Sequence, residues 1–162
     1  MTSKEKEIEF IGLIQEYSKL IFKICYIYAS DNDELNDLYQ ETVINLWRSH
    51  NRFQGNSKYS TWLYRICLNT CVSYVRQKKR KLSTIPITIE VENISEVESK
   101  LEQIQELYKL INKLSKIEKA IIMLYLDEKS YDEIAEIMGI TRGNVSVKLN
   151  RIKSKLKEMS NQ

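Results

Sequence analysis

Residues 131–156, YDEIAEIMGITRGNVSVKLNRIKSKL, constrain the fold more than any other stretch of the chain. Ile134, Ala135 and Met138 fall at helical spacing and predict the core-facing side of a short helix. Gly139 follows directly, where a left-handed residue ends a helix. Ile140 turns back inward, and Thr141 is placed to cap a new helix through its hydroxyl. Val145, Leu149, Ile152 and Leu156 then predict one buried face of a second helix. A small residue where helices cross, a Gly at the bend and apolar anchors on both sides make a helix-turn-helix. The remaining faces of its second helix carry Arg142, Asn144, Ser146, Val147, Lys148, Asn150 and Arg151. Asn amides and Arg forks read base edges in a major groove, while Lys and Ser hold phosphates. The competing reading, a helical bundle with a basic solvated tail, requires this whole pattern to coincide by chance with an acid-free stretch.

That stretch is one of two. Residues 142–157 carry six Lys/Arg and no acid, and residues 42–89 carry nine and no acid. Between residues 31 and 41 (DNDELNDLYQE) the chain has five acids and no base, and residues 90–98 bring four Glu. The net charge of +3 hides this segregation. Solvated helical surfaces mix their signs. Two long acid-free runs therefore predict two separate contacts with a polyanion.

The 162 residues suffice for one ordinary domain or two small ones. Only four Gly and one Pro punctuate them, so the expected class is all-α. No apolar run approaches the roughly 18 residues of a membrane span. The first residues, MTSKEKEIEF, lack the apolar centre of a secretion signal. Three cysteines do not make a disulfide framework. The expectation is a reduced, cytoplasmic protein without membrane insertion.

Helical periodicity runs through residues 4–29, where Ile8, Ile11, Tyr17, Ile21, Ile24 and Tyr28 read as one stripe. Asp33 is the expected cap of the next helix, which runs to about Ser49 with Leu35, Leu38, Tyr39, Thr42 and Leu46 inward. A third helix is expected from Ser60 or Thr61 to about Lys81, with Leu63, Ile66, Cys67, Thr70 and Tyr74 inward. Residues 82–97 hold the single Pro and a β-branched run, and read as an extended linker because a lone strand has no partner. Sixteen extended residues reach at most about 50–55 Å, or roughly 15 base pairs of duplex. The period returns at Leu101, Ile104, Leu107, Ile111 and Leu114, followed by helices near 115–126, 130–138 and 142–158. The architecture expected is two small helical domains, 1–81 and 98–162, on a tether of residues 82–97.

The first domain interleaves aromatic and basic residues. Trp47, Phe53, Tyr59, Trp62 and Tyr64 fall among Arg48, Arg52, Lys58 and Arg65. Rings beside cations suit single-stranded nucleic acid, whose unstacked bases pack on the rings while the charges follow the backbone. Taken singly, Trp47, Trp62 and Tyr64 read as ordinary core residues. In the loop 51–60, however, Gly55, Asn56 and Ser57 leave little apolar anchoring for a buried segment. The run RQKKRK (76–81), which includes Arg76, Lys79 and Arg80, exceeds what a helix dipole needs and points to phosphate. Asp37, Gln40, Glu41 and Ile44 lie away from the inward stripe of the acidic helix. An acidic face with an apolar spot, next to two surfaces for DNA, suggests a protein partner with a basic groove; from pattern alone a solvated helix accounts for it equally.

Together these residues resemble the extracytoplasmic-function (ECF) group of bacterial RNA polymerase sigma factors, in the sigma-70 family. The resemblance rests on Asp37-Leu38-Tyr39-Gln40-Glu41 followed by Leu46-Trp47-Arg48, then on Thr61-Trp62-Leu63-Tyr64-Arg65-Ile66 with Asn69 and Arg76. In the second half it rests on Tyr131-Asp132-Glu133-Ile134-Ala135 and on Met138-Gly139-Ile140-Thr141 with Asn144-Val145. The chain departs from the family pattern at Ser73, where an acid often stands, and at Leu114-Ser115, where a Pro often follows the Leu.

The resemblance implies that Asp37, Gln40, Glu41 and Ile44 dock on the clamp coiled coil of the β′ subunit of core polymerase. It implies that the loop and the helix after it recognise and open the minus-10 element of promoter DNA, through Arg52, Phe53, Asn56, Lys58, Tyr59, Trp62, Arg65, Asn69, Arg76, Lys79 and Arg80. Thr141, Arg142, Asn144, Ser146, Val147, Lys148, Asn150 and Arg151 would read the minus-35 element. An anti-sigma protein often holds members of this group, a further expectation from the family.

The rival reading is a free-standing helix-turn-helix regulator, which leaves the acidic helix and the aromatic loop idle. A nucleic-acid enzyme is disfavoured. His50 is the single histidine, and no Ser or Cys has an evident base. Cys67 and Cys71 share a helix face, but no CxxC exists and Cys25 is distant in sequence, so the three read as buried small residues. Neither metal, cofactor nor catalysis is expected of this chain.

Overall fold

A computed structural model describes residues 2–53, 55, 57–78 and 105–161. Asn56, Lys79, Arg80 and the expected linker at 82–97 lie outside the described residues. Among those described, every regular element is a helix: α1 (Ser3–Tyr28), α2 (Asn32–His50), α3 (Tyr59–Lys78), α4 (Gln105–Ile111), α5 (Lys116–Leu126), α6 (Tyr131–Met138) and α7 (Arg142–Ser160).

The first three helices pack on one another. Ile21, Ile24, Leu35, Leu38, Leu46 and Leu63 at their centre are almost wholly excluded from water, each burial being worth about 1.5–3 kcal/mol. Two details differ from the sequence expectation. Ile8 and Ile11 are exposed (63% and 48%), and Phe10 and Leu13 take the inward positions instead. The inward side of the first turns is fixed by Phe10, whose ring meets Trp47 of α2 edge-on at 5.0 Å. Asp31, not Asp33, caps α2, its side chain accepting from the Glu34 N–H at 2.8 Å.

The second half is built from local signals, of which the Gly139 stop and the Thr141 cap are those expected from sequence. Ile137 takes the buried place beside Ile134 and leaves Ala135 and Met138 half-buried. Ser115 and Ser130 form capping boxes with Glu118 and Glu133, at the starts of α5 and α6. Ser115 thus fills, as an N-cap, the position next to Leu114. Gly139 ends α6 in the left-handed region (φ 69°, ψ 33°), and the Thr141 hydroxyl accepts from the Asn144 N–H at 3.1 Å to open α7. Ile134, Ile137, Val145, Leu149 and Ile152 are buried between α5, α6 and α7.

The two halves touch. α3 packs against α6 and α5, and the buried residues of both halves join in one apolar cluster. This is why Tyr64 and Leu68 are buried (2% and 4% exposed), although neither belongs to the stripe of α3 read from sequence. Helix α3 has a second covered side, and Tyr64 on it bonds to Asp127 of the other half.

Candidate nucleic-acid and protein interface

Helices α2 and α3 border an open groove of about 780 Å³. Asp37, Gln40, Glu41 and Ile44 line it from α2, and Asn69, Ser73 and Tyr74 from α3. Glu41 and Ile44 are exposed, and Asp37 and Gln40 half-buried. The expected docking residues are therefore brought onto one face. The Asn45 amide bridges the helices by donating to the Thr70 hydroxyl at 3.0 Å. The Tyr74 phenol is pushed up by partial burial first, and then by the acids Glu34, Asp37 and Asp31, which register the negative potential on this side. Asn45 and Arg48 also line the groove, one and two further turns from Glu41 at helical spacing, a signal that could have placed them there.

Around the end of α2 the aromatic residues form a cluster. Phe53 stacks on Tyr59 with ring centroids 4.6 Å apart, and Trp62 lies against both at 5.3 and 6.2 Å. Phe53 and Trp62 are half-buried and Tyr59 is exposed, so the rings offer partly open faces. Arg52, Lys58, Arg65, Asn69 and Arg76 are exposed around the same end and along α3. His50 is buried behind this cluster, its ring 5.5 Å from Phe10 and 6.3 Å from Trp62, with its Nδ1 lacking a hydrogen-bond partner. His50, one residue past the expected helix end at about Ser49, is the last residue of α2 and packs behind the rings. Tyr64 leaves the aromatic set, because it is buried against the second half and not beside the loop.

Cys25, Cys67 and Cys71 are all buried, and Cys25 Sγ lies 3.6 Å from the Thr42 hydroxyl. Burial comes first among the causes that push the Cys67 thiol well up, so it behaves as an apolar packing group. Among the described residues no group of His, Cys, Asp and Glu is arranged to hold a metal ion, and no helix is long and apolar enough to cross a membrane.

On α7 the exposed side bears Thr141, Arg142, Asn144, Val147, Lys148, Asn150 and Arg151, with Ser146 half-buried. Arg142 pairs with Asp132 at 3.3 Å, in a bridge where both side chains are about 70% exposed. Such a bridge exchanges readily for a phosphate. Lys153 and Lys155 are turned to Tyr125 and Glu118. Lys148 and Arg151 have no ion-pair partner among the described residues. The helix thus presents amides, a Thr hydroxyl and cations on one open side, as major-groove reading requires.

Sigma-70 region 2 matches residues 13–81, and Sigma-70, region 4 matches residues 104–156. The chain is similar to the ECF RNA polymerase sigma factor SigW of Bacillus subtilis, 28% identical over 92% of this chain and 87% of that protein. It is 32% identical to the ECF RNA polymerase sigma-E factor of Escherichia coli K12, over 86% of this chain and 80% of that one. Its fold resembles that of the sigma factor RpoE in complex with the anti-sigma factor NepR from Bartonella quintana. The TM-score there is 0.70, with 21% identity, and 94% of this chain and 97% of that one are covered.

Proposed function

As a member of the extracytoplasmic-function sigma factors of the sigma-70 family, the chain is an RNA polymerase sigma factor, and we propose how its surfaces divide that work. Asp37, Gln40, Glu41 and Ile44 on α2 dock on the clamp coiled coil of core polymerase. The aromatic cluster, with Arg52, Asn56, Lys58, Arg65, Asn69, Arg76, Lys79 and Arg80, engages the minus-10 element and holds its unpaired strand. The open side of α7 reads the minus-35 element. The observation that carries this reading is the separation of the three surfaces: an acidic groove wall, a ring cluster set among cations, and an open helix face with amides and bases.

Magnitudes explain why such a protein acts as a subunit. Opening duplex costs about 1.4 kcal/mol per step. A base stacked on an aromatic surface returns about 1–3 kcal/mol. One or two captured bases do not hold open a bubble of ten or more pairs, so the remaining work belongs to a larger assembly with its own basic channel, which also carries the chemistry of polymerisation. The protein is placed in the cytoplasm with that assembly, and an anti-sigma protein is the expected antagonist.

The test is run-off transcription with core polymerase, with and without this protein, on upstream DNA from its own genome. A new specific start supports the reading. No gain in specific initiation removes it.

A further inference from the structure

One apolar side chain stands at the centre of the open side of α7. Val145, Leu149 and Ile152 are buried on one side of the helix. Gly143, Val147, Asn150 and Ser154 recur at spacings of four, three and four, and so form the line opposite to them. Val147 is 47% exposed and is the one large apolar residue of α7 on open surface. Helical side chains lean over the turn before them. For Val147 that turn holds Gly143, which has no side chain, and a Cβ placed there would meet nothing nearer than the Thr141 hydroxyl at 4.0 Å. Val147 over the bare Gly143 therefore makes a shallow apolar notch. Asn144 and Lys148 border it, and Arg151 lies one turn further on, all exposed.

Single apolar residues occur on many surfaces. This one gains nothing from packing, and its branched side chain lowers helix propensity. It also lies within residues 142–157, which carry six Lys/Arg and no acid. Charge thus brings duplex DNA to this face, and a major groove displays one apolar group to a helix, the C5-methyl of thymine. A valine in a helix holds one χ1 rotamer in most cases, so its methyls are presented without an ordering cost. From Asn144 to Arg151 the helix rises about 10 Å, or roughly three base pairs, with Val147 near the middle. Asn suits adenine and Arg suits guanine, through two hydrogen bonds each.

We propose that Val147, over Gly143, reads the methyl group of one thymine in the minus-35 element, and so fixes a T·A pair within the sequence that this chain selects. The proposal rests on the reading of α7 under Proposed function and adds the chemistry by which one base pair is chosen.

The test begins with selection of duplexes from a randomised pool by the full chain at low ionic strength, where phosphate contacts are strongest. Each thymine of the enriched site is then replaced by deoxyuridine, which pairs identically and lacks only the methyl. One replacement is expected to weaken binding about three- to fivefold, the effect of one methyl group returned to water. Val147→Ser, which removes both valine methyls, is expected to bind the thymine and uracil duplexes equally. Val147→Thr, which keeps one methyl, is expected to retain a smaller difference. Circular dichroism checks the fold of both variants, and the uracil scan on the wild-type chain needs neither. A wild-type chain that binds every uracil duplex as tightly as the thymine duplex overturns the proposal. So does a uracil penalty that folded Val147→Ser leaves unchanged. If no duplex is enriched from the pool, the minus-35 reading of α7 falls and this proposal with it. An enriched duplex without any methyl effect removes this proposal alone.

Discussion

Glu41 is an exposed carboxylate on the wall of the groove, at the centre of the docking face proposed above. Glu41→Lys sets a cation against a basic partner, and like-charge contacts cost several kcal/mol. Association with core polymerase is expected to weaken by about a hundredfold or more in a co-elution assay, while duplex binding by the helix-turn-helix is unchanged. Retained association would take α2 out of the docking surface. A second residue-scale test concerns acid. The Ser130 N–H, first, and then its hydroxyl hold the Glu133 carboxylate below the usual range, with Lys129 and Lys58 adding to this against a small opposing effect of burial. The unfolded chain titrates near about 4.3. Because the folded value lies lower, this capping box contributes fully above that pH and is lost as pH falls through the folded value. An NMR titration should find the Glu133 midpoint below that of an ordinary Glu. Ser130→Ala should raise it part of the way, since the backbone N–H remains, and should cost roughly 0.5–2 kcal/mol of stability.

Helices α6 and α7 and the bend between them set a paired test on two glycines. At Gly139 a Cβ meets nothing within 4 Å, yet φ is +69°, so Gly139→Ala costs backbone strain alone, roughly 1–2 kcal/mol. Gly143 lies inside α7 without a positive φ, and its nearest neighbour is the Thr141 hydroxyl at 4.0 Å. Gly143→Ala is therefore expected to stabilise by about 0.5–1 kcal/mol. Opposite shifts in thermal midpoint check both. This element was legible in the sequence nearly to the residue, because caps and a left-handed Gly act within one turn of chain. The inward set Val145, Leu149 and Ile152 is of the same kind, whereas the capping boxes at Ser115 and Ser130 are seen first in the structure. The misreadings arise where distant chain decides. Ile8 and Ile11 have helical spacing, but only packing on Trp47 shows that Phe10 is the inward residue. Tyr64 reads as a partner of the loop aromatics until the second half is seen to cover it. Asp33 reads as the cap in sequence, but the extended backbone at Asp31, whose side chain accepts from the Glu34 N–H, makes Asp31 the cap. The groove residues Asn45 and Arg48 were missed because polar residues next to an assigned face carry no signal of their own.

At the scale of the whole molecule, the proposed division of surfaces implies that neither half alone makes a strong promoter complex. In the proposed reading the open side of α7 would bring Arg142, Lys148 and Arg151 to duplex, and of these Arg142 is paired with Asp132 and would first have to leave it. Three phosphate contacts give a salt slope of about −3 in log K against log salt. That is a small electrostatic contribution beside the 6–10 contacts that make the tightest binders so sensitive to salt. The minus-10 surface adds little to duplex, because its rings take bases only after they unstack. Free protein is therefore expected to bind promoter duplex weakly, with the slope near −3, and Lys148→Ala is expected to reduce that slope by about 1. With core polymerase present, the footprint should extend across both elements, since on the proposed reading the assembly supplies the single strand whose bases would stack on the cluster of Phe53, Tyr59 and Trp62. Binding titrations at several salt concentrations, with and without core, measure both quantities. A nanomolar footprint over both elements by the chain alone would mean that the two halves suffice by themselves. The acidic face of α2 would then need another use.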